Sequence, residues 1–146
     1  MTTLDAPTQI GASAARLRMA LVRLARTLRR HGAPGLTPSQ ISALATVEEF
    51  GPMRISTLAS YESMGAPSAT RVVASLEELH LFERRDDPED GRASVIDLSA
   101  TGRTALAELW NERTLGLSSR LDRLSAKERA TIDAALPALE KLVRDN

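Results

Sequence analysis

The stretch Ser63–Arg92, SMGAPSATRVVASLEELHLFERRDDPEDGR, decides how the chain is read. It reads as a short helix, a turn, and then a charged loop able to form a β-ribbon. Pro67 sits where a first helical residue is expected, because its fixed φ and missing N–H cost nothing there. From Ala69 onward, Ala69, Val72, Val73, Leu76 and Leu79 recur at helical spacing and mark a face that must be buried. The opposite face carries Ser68, Thr70, Arg71 and Ser75. Small polar side chains around one long cation, on a helix presented N-terminus outward, suit a DNA major groove. An ordinary amphipathic helix with one solvated Arg has the same pattern, and the helix alone leaves both readings open.

The residues after the helix weigh on that choice. Leu81–Arg85 alternates as a strand does, and Ala93–Leu98 is its expected return partner. Between them Asp86–Arg92 is a polar loop with Pro88 and Gly91 at turn-compatible positions. A helix followed directly by a hairpin with an arginine at its tip is the layout of a winged helix-turn-helix. Such an arginine can enter a narrow minor groove, where negative potential is concentrated.

With these residues in place the chain resembles the MarR family of bacterial transcription regulators. The resemblance rests on Leu58-Ala59, Pro67–Val73, Leu76-Glu77, Leu81, Glu83–Arg85, the wing Asp87-Pro88-Glu89-Asp90-Gly91-Arg92, and Leu98–Gly102. It covers roughly residues 17–142 and is strongest from Ser56 to Gly102. It implies a mainly α fold with a small β-wing: a winged helix-turn-helix domain over 33–99, flanked by dimerisation helices at 10–32 and 100–146. It also implies a homodimer on a palindromic operator in double-stranded DNA, acting as a repressor, with a small aromatic or amphipathic ligand as effector. The DNA-binding residues it points to are Ser56, Ser68, Thr70, Arg71 and Ser75, with Arg85, Asp90 and Arg92 on the wing. Asp90 is expected to hold the Arg92 guanidinium. Arg16, Met19, Arg23 and Trp110 are candidates for the effector pocket. This chain departs from the usual family form at the turn, where members place Gly at the position of Ser63 and a Ser cap with a polar follower at Gly65-Ala66. At the wing, Gly91 replaces a common basic residue. Base readout then falls to Ser68, Thr70 and Arg71, and more weight falls on Arg92.

Composition sets outer bounds. A chain of 146 residues with 42% hydrophobic and 26% charged residues is globular and sized for one domain or a small domain with an added helical layer. The N-terminus lacks a basic stretch followed by an apolar core, so a cytoplasmic location with no membrane association is expected. With no Cys, disulfides and thiolate metal sites are excluded. The 19 basic and 19 acidic residues cancel, which argues against a general nucleic-acid coat. The balance is regional: Arg16–Arg30 holds six Arg and no acid, whereas the wing loop is acidic.

The flanks read as helices. Residues 1–9 look like a flexible arm. Ile10, Ala14, Leu17, Leu21, Leu24 and Leu28 form an a/d-type stripe, closed by Arg29, Arg30 and His31 and by Gly32 as the residue past the end. Thr37, Pro38 and Gln40 make a capping box with Pro at N1, and Gly51-Pro52 stops that helix. Met53–Ile55 is expected as a short strand, with Ser56 then capping the next helix. Ser99 opens a long helix to about Leu124, and Ser125 with Glu128 caps a last one, in which Pro137 predicts a kink or break near Asp133–Leu136. The apolar faces of the flanking helices exceed what one small domain covers, and a dimer seam is their simplest use.

Two other functions compete with this one. A winged-helix protein-interaction module without DNA binding fits the acidic wing. An enzyme fits poorly: His31 and His80 sit at helix ends and no nucleophile–base set or phosphate loop occurs. No cofactor or metal is implied.

Overall fold

The computed structural model describes residues 6–30 and 35–144. In chain order the elements are α1 (Ala6–Arg29), α2 (Pro38–Phe50), α3 (Ile55–Tyr61), α4 (Ala66–Glu78), β1 (Phe82–Asp86), β2 (Ser94–Leu98), α5 (Ala100–Leu121) and α6 (Ala126–Arg144). They fall into two compact units: residues 33–111, here the winged unit, and residues 1–32 with 112–146, here the helical unit. The boundary expected at Ser99 lies later, because the first turns of α5 bury Leu106 and Leu109 in the core of the winged unit.

That core is built from α2, α3, α4, the hairpin and the start of α5. Leu44, Leu58, Leu76, Ile96, Leu98 and Leu106 are its largest fully buried side chains. Each contributes about 1.5–3 kcal/mol relative to exposure. α2 starts as its sequence dictates: Thr37 Oγ1 accepts from the Gln40 N–H at 3.2 Å, and the Thr37 N–H donates to Gln40 Oε1 at 2.8 Å. The two strands pair antiparallel, with Phe82 opposite Leu98 and Asp86 opposite Ser94. Met53 adds a single bridge to Ile96, with mutual backbone bonds of 3.1 and 2.8 Å. The expected strand Met53–Ile55 is thus one residue long, since Ile55 already begins α3.

Two turns hold α4 in place, and both use left-handed backbone at residues other than glycine. Ser63, between α3 and α4, has φ +50°, and His80, after α4, has φ +57°. At His80 the turn is fully bonded: the Leu81 N–H reaches the Leu76 carbonyl and the His80 N–H the Glu77 carbonyl, both at 2.9 Å. The Leu81 carbonyl in turn accepts from the Ser99 N–H at 3.0 Å and lies against Gly102. A Cβ at Gly102 would stand 2.0 Å from that oxygen. Glycine is required there because the start of α5 touches the backbone of the α4–β1 turn.

The helical unit is differently made. Ile10, Leu21, Val22, Leu115, Leu136 and Leu142 are all exposed at 42–70%. α1 begins at Ala6, so part of the expected arm is helical. Residues 1–5 lie outside the described residues, as do His31 and Gly32, on which the end of α1 was expected to close. α6 opens on the Ser125–Glu128 capping box, with the Ser125 N–H 2.8 Å from Glu128 Oε2. It continues through Pro137 to Arg144, so of the kink or break expected near Asp133–Leu136 the break does not occur. One missing backbone bond does not end a 19-residue helix opened by a capping box. α5 ends at Leu121, three residues before the expected Leu124. Among the described residues, no helix is long and apolar enough to cross a membrane.

Candidate nucleic-acid interface

Charge is segregated between the units. Residues 33–111 hold 6 Arg and 12 acidic residues, whereas residues 1–32 and 112–146 hold 13 Arg or Lys and 7 acidic residues. A winged unit this acidic can meet a polyanion only where its few cations are left unneutralised, so their partners decide the matter.

Four of the six arginines are engaged by carboxylates. Arg84 makes a two-pronged bridge to Glu77 at 2.9 and 3.0 Å, tying β1 to α4. Arg85 pairs with Glu83 and reaches Asp97 at 3.0 Å. Arg103 on α5 reaches both oxygens of Asp97 at 3.2 Å. Asp97 itself is buried, and its Oδ1 also accepts the Leu98 N–H at 2.7 Å. Arg54 binds Asp87 through Nε at 2.7 Å and Nη2 at 2.6 Å.

Arg71 and Arg92 remain, both exposed, and among the described residues neither has an ion pair. Arg71 lies on the outer face of α4, where its Nη2 donates to Ser68 Oγ at 3.3 Å. Arg92 lies on the wing loop. The loop is closed by the Asp87 N–H bonded to the Ala93 carbonyl and the Ala93 N–H bonded to the Asp90 carbonyl. Two side-chain turns stiffen it: Asp87 Oδ1 accepts the Glu89 N–H at 2.9 Å, and Asp90 Oδ1 accepts the Arg92 N–H at 3.1 Å. The Glu89 N–H and the Arg54 guanidinium together hold the Asp87 carboxyl below the usual carboxylate range.

The remaining expected residues sort by geometry. Ser68 and Thr70 share the outer side of α4 with Arg71, and the Thr70 hydroxyl donates to the Ala66 carbonyl at 2.9 Å. Ser75 is turned toward α2: its hydroxyl donates to the Val72 carbonyl at 2.7 Å and accepts from Gln40 Nε2 at 2.9 Å. It thereby joins the two helices, because the helical period carries it from the outer face to the flank. Arg85 is bound in the Glu83–Asp97 cluster rather than extended from the wing. Asp90 holds the backbone of Arg92, not its guanidinium. Ser56 is exposed, but it does not cap α3, because Arg54 is the N-cap and its carbonyl accepts the Thr57 and Leu58 N–H groups. α4 starts on Gly65 with no side-chain acceptor, as its sequence implies.

Among the effector candidates, Arg16, Met19 and Arg23 are exposed on α1 in the helical unit. Trp110 belongs to the winged unit, where its Nε1 donates to Glu48 Oε2 at 3.3 Å. None of the four lines the open depression of about 560 Å³ in the helical unit, whose walls include Arg30, Glu112, Leu115, Arg120 and Arg123. Sequence reasoning also missed Arg54, Asp87 and Asp97 as partners. The available signal for Asp97 was an acid inside the apolar run Val95-Ile96-Asp97-Leu98.

The comparisons with known proteins fit this geometry. A helix-turn-helix-type transcriptional regulator of Mycobacterium tuberculosis is 34% identical over 131 residues, covering 89% of this chain and 92% of that protein. A crystal structure of a transcriptional regulator from Pseudomonas aeruginosa is 30% identical with a TM-score of 0.84, covering 94% of this chain and 98% of that one. A MarR family protein from Bacillus stearothermophilus shares the fold at 20% identity and a TM-score of 0.77. The class is therefore that of winged helix-turn-helix transcriptional regulators. The model of the MarR family matches residues 36–94, the span from α2 through the wing. The chain belongs to the MarR family.

Proposed function

We propose that two copies of this chain bind a palindromic operator as a homodimer. Each copy places α4 in a major groove and the Arg92 wing in the adjoining minor groove, with half-sites about one turn, ~34 Å, apart. The observation that carries this reading is the state of the arginines. Among the described residues, the guanidinium groups of Arg71 and Arg92, one on each reading element, make no ion pair, in a unit where the other four arginines do. Ser68 and Thr70 flank Arg71 and share the base-edge role. Ser56 serves as a phosphate contact from the exposed side of α3.

Dimerisation uses the exposed apolar residues of α1, the end of α5 and α6. Repression follows from occupying the operator, and release follows from an aromatic or amphipathic anion that favours another spacing of the two heads. Support for an anion comes from the depression walled by Arg30, Arg120 and Arg123 beside the exposed Leu115. A cytoplasmic location goes with this role.

Arg71→Ala is expected to relax base preference inside the half-site, since a major-groove contact is worth ~1–3 kcal/mol of discrimination. Arg92→Ala is expected to lower affinity and flatten the dependence on A·T-rich flanks. A binding selection on randomised half-sites and flanks, at one fixed salt concentration, measures both. If Arg92→Ala bound every flank as tightly as the parent, the wing would have no part in recognition. The acidic balance of residues 33–111 favours a second reading, a protein-interaction module. Equal affinity for random and palindromic DNA at two salt concentrations would support that reading instead.

A further inference from the structure

The wing loop poses an electrostatic problem for DNA binding. Asp86, Asp87, Glu89 and Asp90 share the loop with its one cation, Arg92, and nearby phosphates should repel them. The geometry points to Arg54 as the residue that resolves it: Arg54 acts as the internal counter-ion of the wing and fixes Arg92 for its groove. This inference rests on the DNA-binding reading above and adds to it a positioning residue outside both reading elements.

The argument follows the bonds. Arg54 is the N-cap of α3, so its backbone is set by the first helix of the helix-turn-helix, next to the Met53–Ile96 bridge. Its guanidinium holds Asp87 at two nitrogens and lies 3.9 Å from Asp90 Oδ2. Asp87 closes the loop through its own N–H and carries the Glu89 turn, while Asp90 carries the backbone of Arg92. One side chain from α3 thus neutralises or approaches both acids that shape the loop. The Asp87 side chain is 9% exposed, so removal of Arg54 would leave a shielded carboxylate facing DNA without a cation. Arg54 keeps 47% of its own side chain exposed, so its replacement need not disturb the core.

A counter-ion and a direct phosphate contact predict different couplings. If Arg54 works by neutralising Asp87, Arg54→Ala should weaken operator binding roughly tenfold in the parent but far less in an Asp87→Asn background. If Arg54 instead touches phosphate, the loss should be the same in both backgrounds. The experiment uses the full chain and a palindromic duplex recovered from the selection, titrated with the parent, Arg54→Ala, Asp87→Asn and the double variant. A carbon-detected NMR titration of Asp87 in the free protein gives an independent readout. Arg54→Ala should raise the Asp87 pKa part of the way toward normal, since the Glu89 N–H remains. Equal losses in both backgrounds, an unchanged Arg54→Ala affinity, or an unmoved Asp87 would overturn the inference while DNA binding stood. A parent that bound no duplex would sink the underlying reading and this inference with it.

Discussion

The two units of this chain solve the problem of burying apolar surface in opposite ways. The winged unit closes a core of its own, with Leu44, Leu58, Leu76 and Ile96 at 1% exposure or less. Its helix starts and turns are bonded locally, and its buried acid, Asp97, is paired with two arginines. The helical unit leaves Leu21 at 50%, Leu115 at 59% and Leu142 at 69% exposed. Globular monomers rarely leave so much apolar surface in one region unless it is meant to be covered. The winged unit therefore holds a core of its own, and on the proposed reading the exposed apolar face of the helical unit is where a second copy docks.

Glycine replacement gives the largest test of that contrast. Gly102→Ala places a Cβ against the Leu81 carbonyl and should destabilise the fold by about 3 kcal/mol or more, read by chemical denaturation. Gly11, on α1, has open space where its Cβ would go, so Gly11→Ala should be neutral or raise helix stability by up to about 1 kcal/mol. A mild Gly102→Ala would mean that α5 can shift away from the turn and that the junction is looser than drawn.

Leucine truncation sharpens the same contrast. Leu76→Ala removes a fully buried side chain and should cost about 3 kcal/mol at every protein concentration. Leu21→Ala should change monomer stability by only about 0.5 kcal/mol, yet weaken self-association in sedimentation equilibrium. If Leu21→Ala left association untouched and light scattering found the parent monomeric at micromolar concentration, the exposed stripe would need another occupant.

The smallest effect concerns the two turns around α4. Ser63→Gly and His80→Gly relieve left-handed backbone at non-glycine residues, and each should add roughly 1 kcal/mol of stability in thermal unfolding. The Ser63 change should also restore the residue that family members commonly place there. A loss of stability at His80 would show that its side chain contributes packing that outweighs the backbone strain.

Those turns mark how far the sequence could be read. The Thr37–Gln40 and Ser125–Glu128 capping boxes and the hairpin around Asp86–Arg92 were legible, because each depends on residues a few positions apart. The placement of α4 was legible from Ala69, Val73 and Leu76, whose spacing demands a buried stripe. Ser56 misled because Ser is a common cap, while the actual cap, Arg54, offers only its backbone. The Ser75 contact was not legible, because its hydroxyl answers to Gln40, thirty-five positions away in the chain. Arg85 and Arg54 were illegible as ion-pair partners for the same reason: Asp97 and Asp87 come near them only through the hairpin pairing and the Met53 bridge. Long-range pairing of charges is a property of the folded chain, and it decides which cations remain for a ligand.

The segregation of charge described above bears on how such a protein finds its site. Non-specific attachment to a duplex grows with the number of counter-ions displaced, and that number follows the free cations presented to the backbone. A winged unit with 6 arginines against 12 acids displaces few of them. At physiological salt, fields decay over about 8 Å, so the basic helical unit can help only where it lies near a phosphate. On the proposed reading, encounters with random DNA are brief, sliding is short, and the search proceeds mainly by repeated collision from solution. Selectivity then arises as much from not lingering at wrong sequences as from holding the right one.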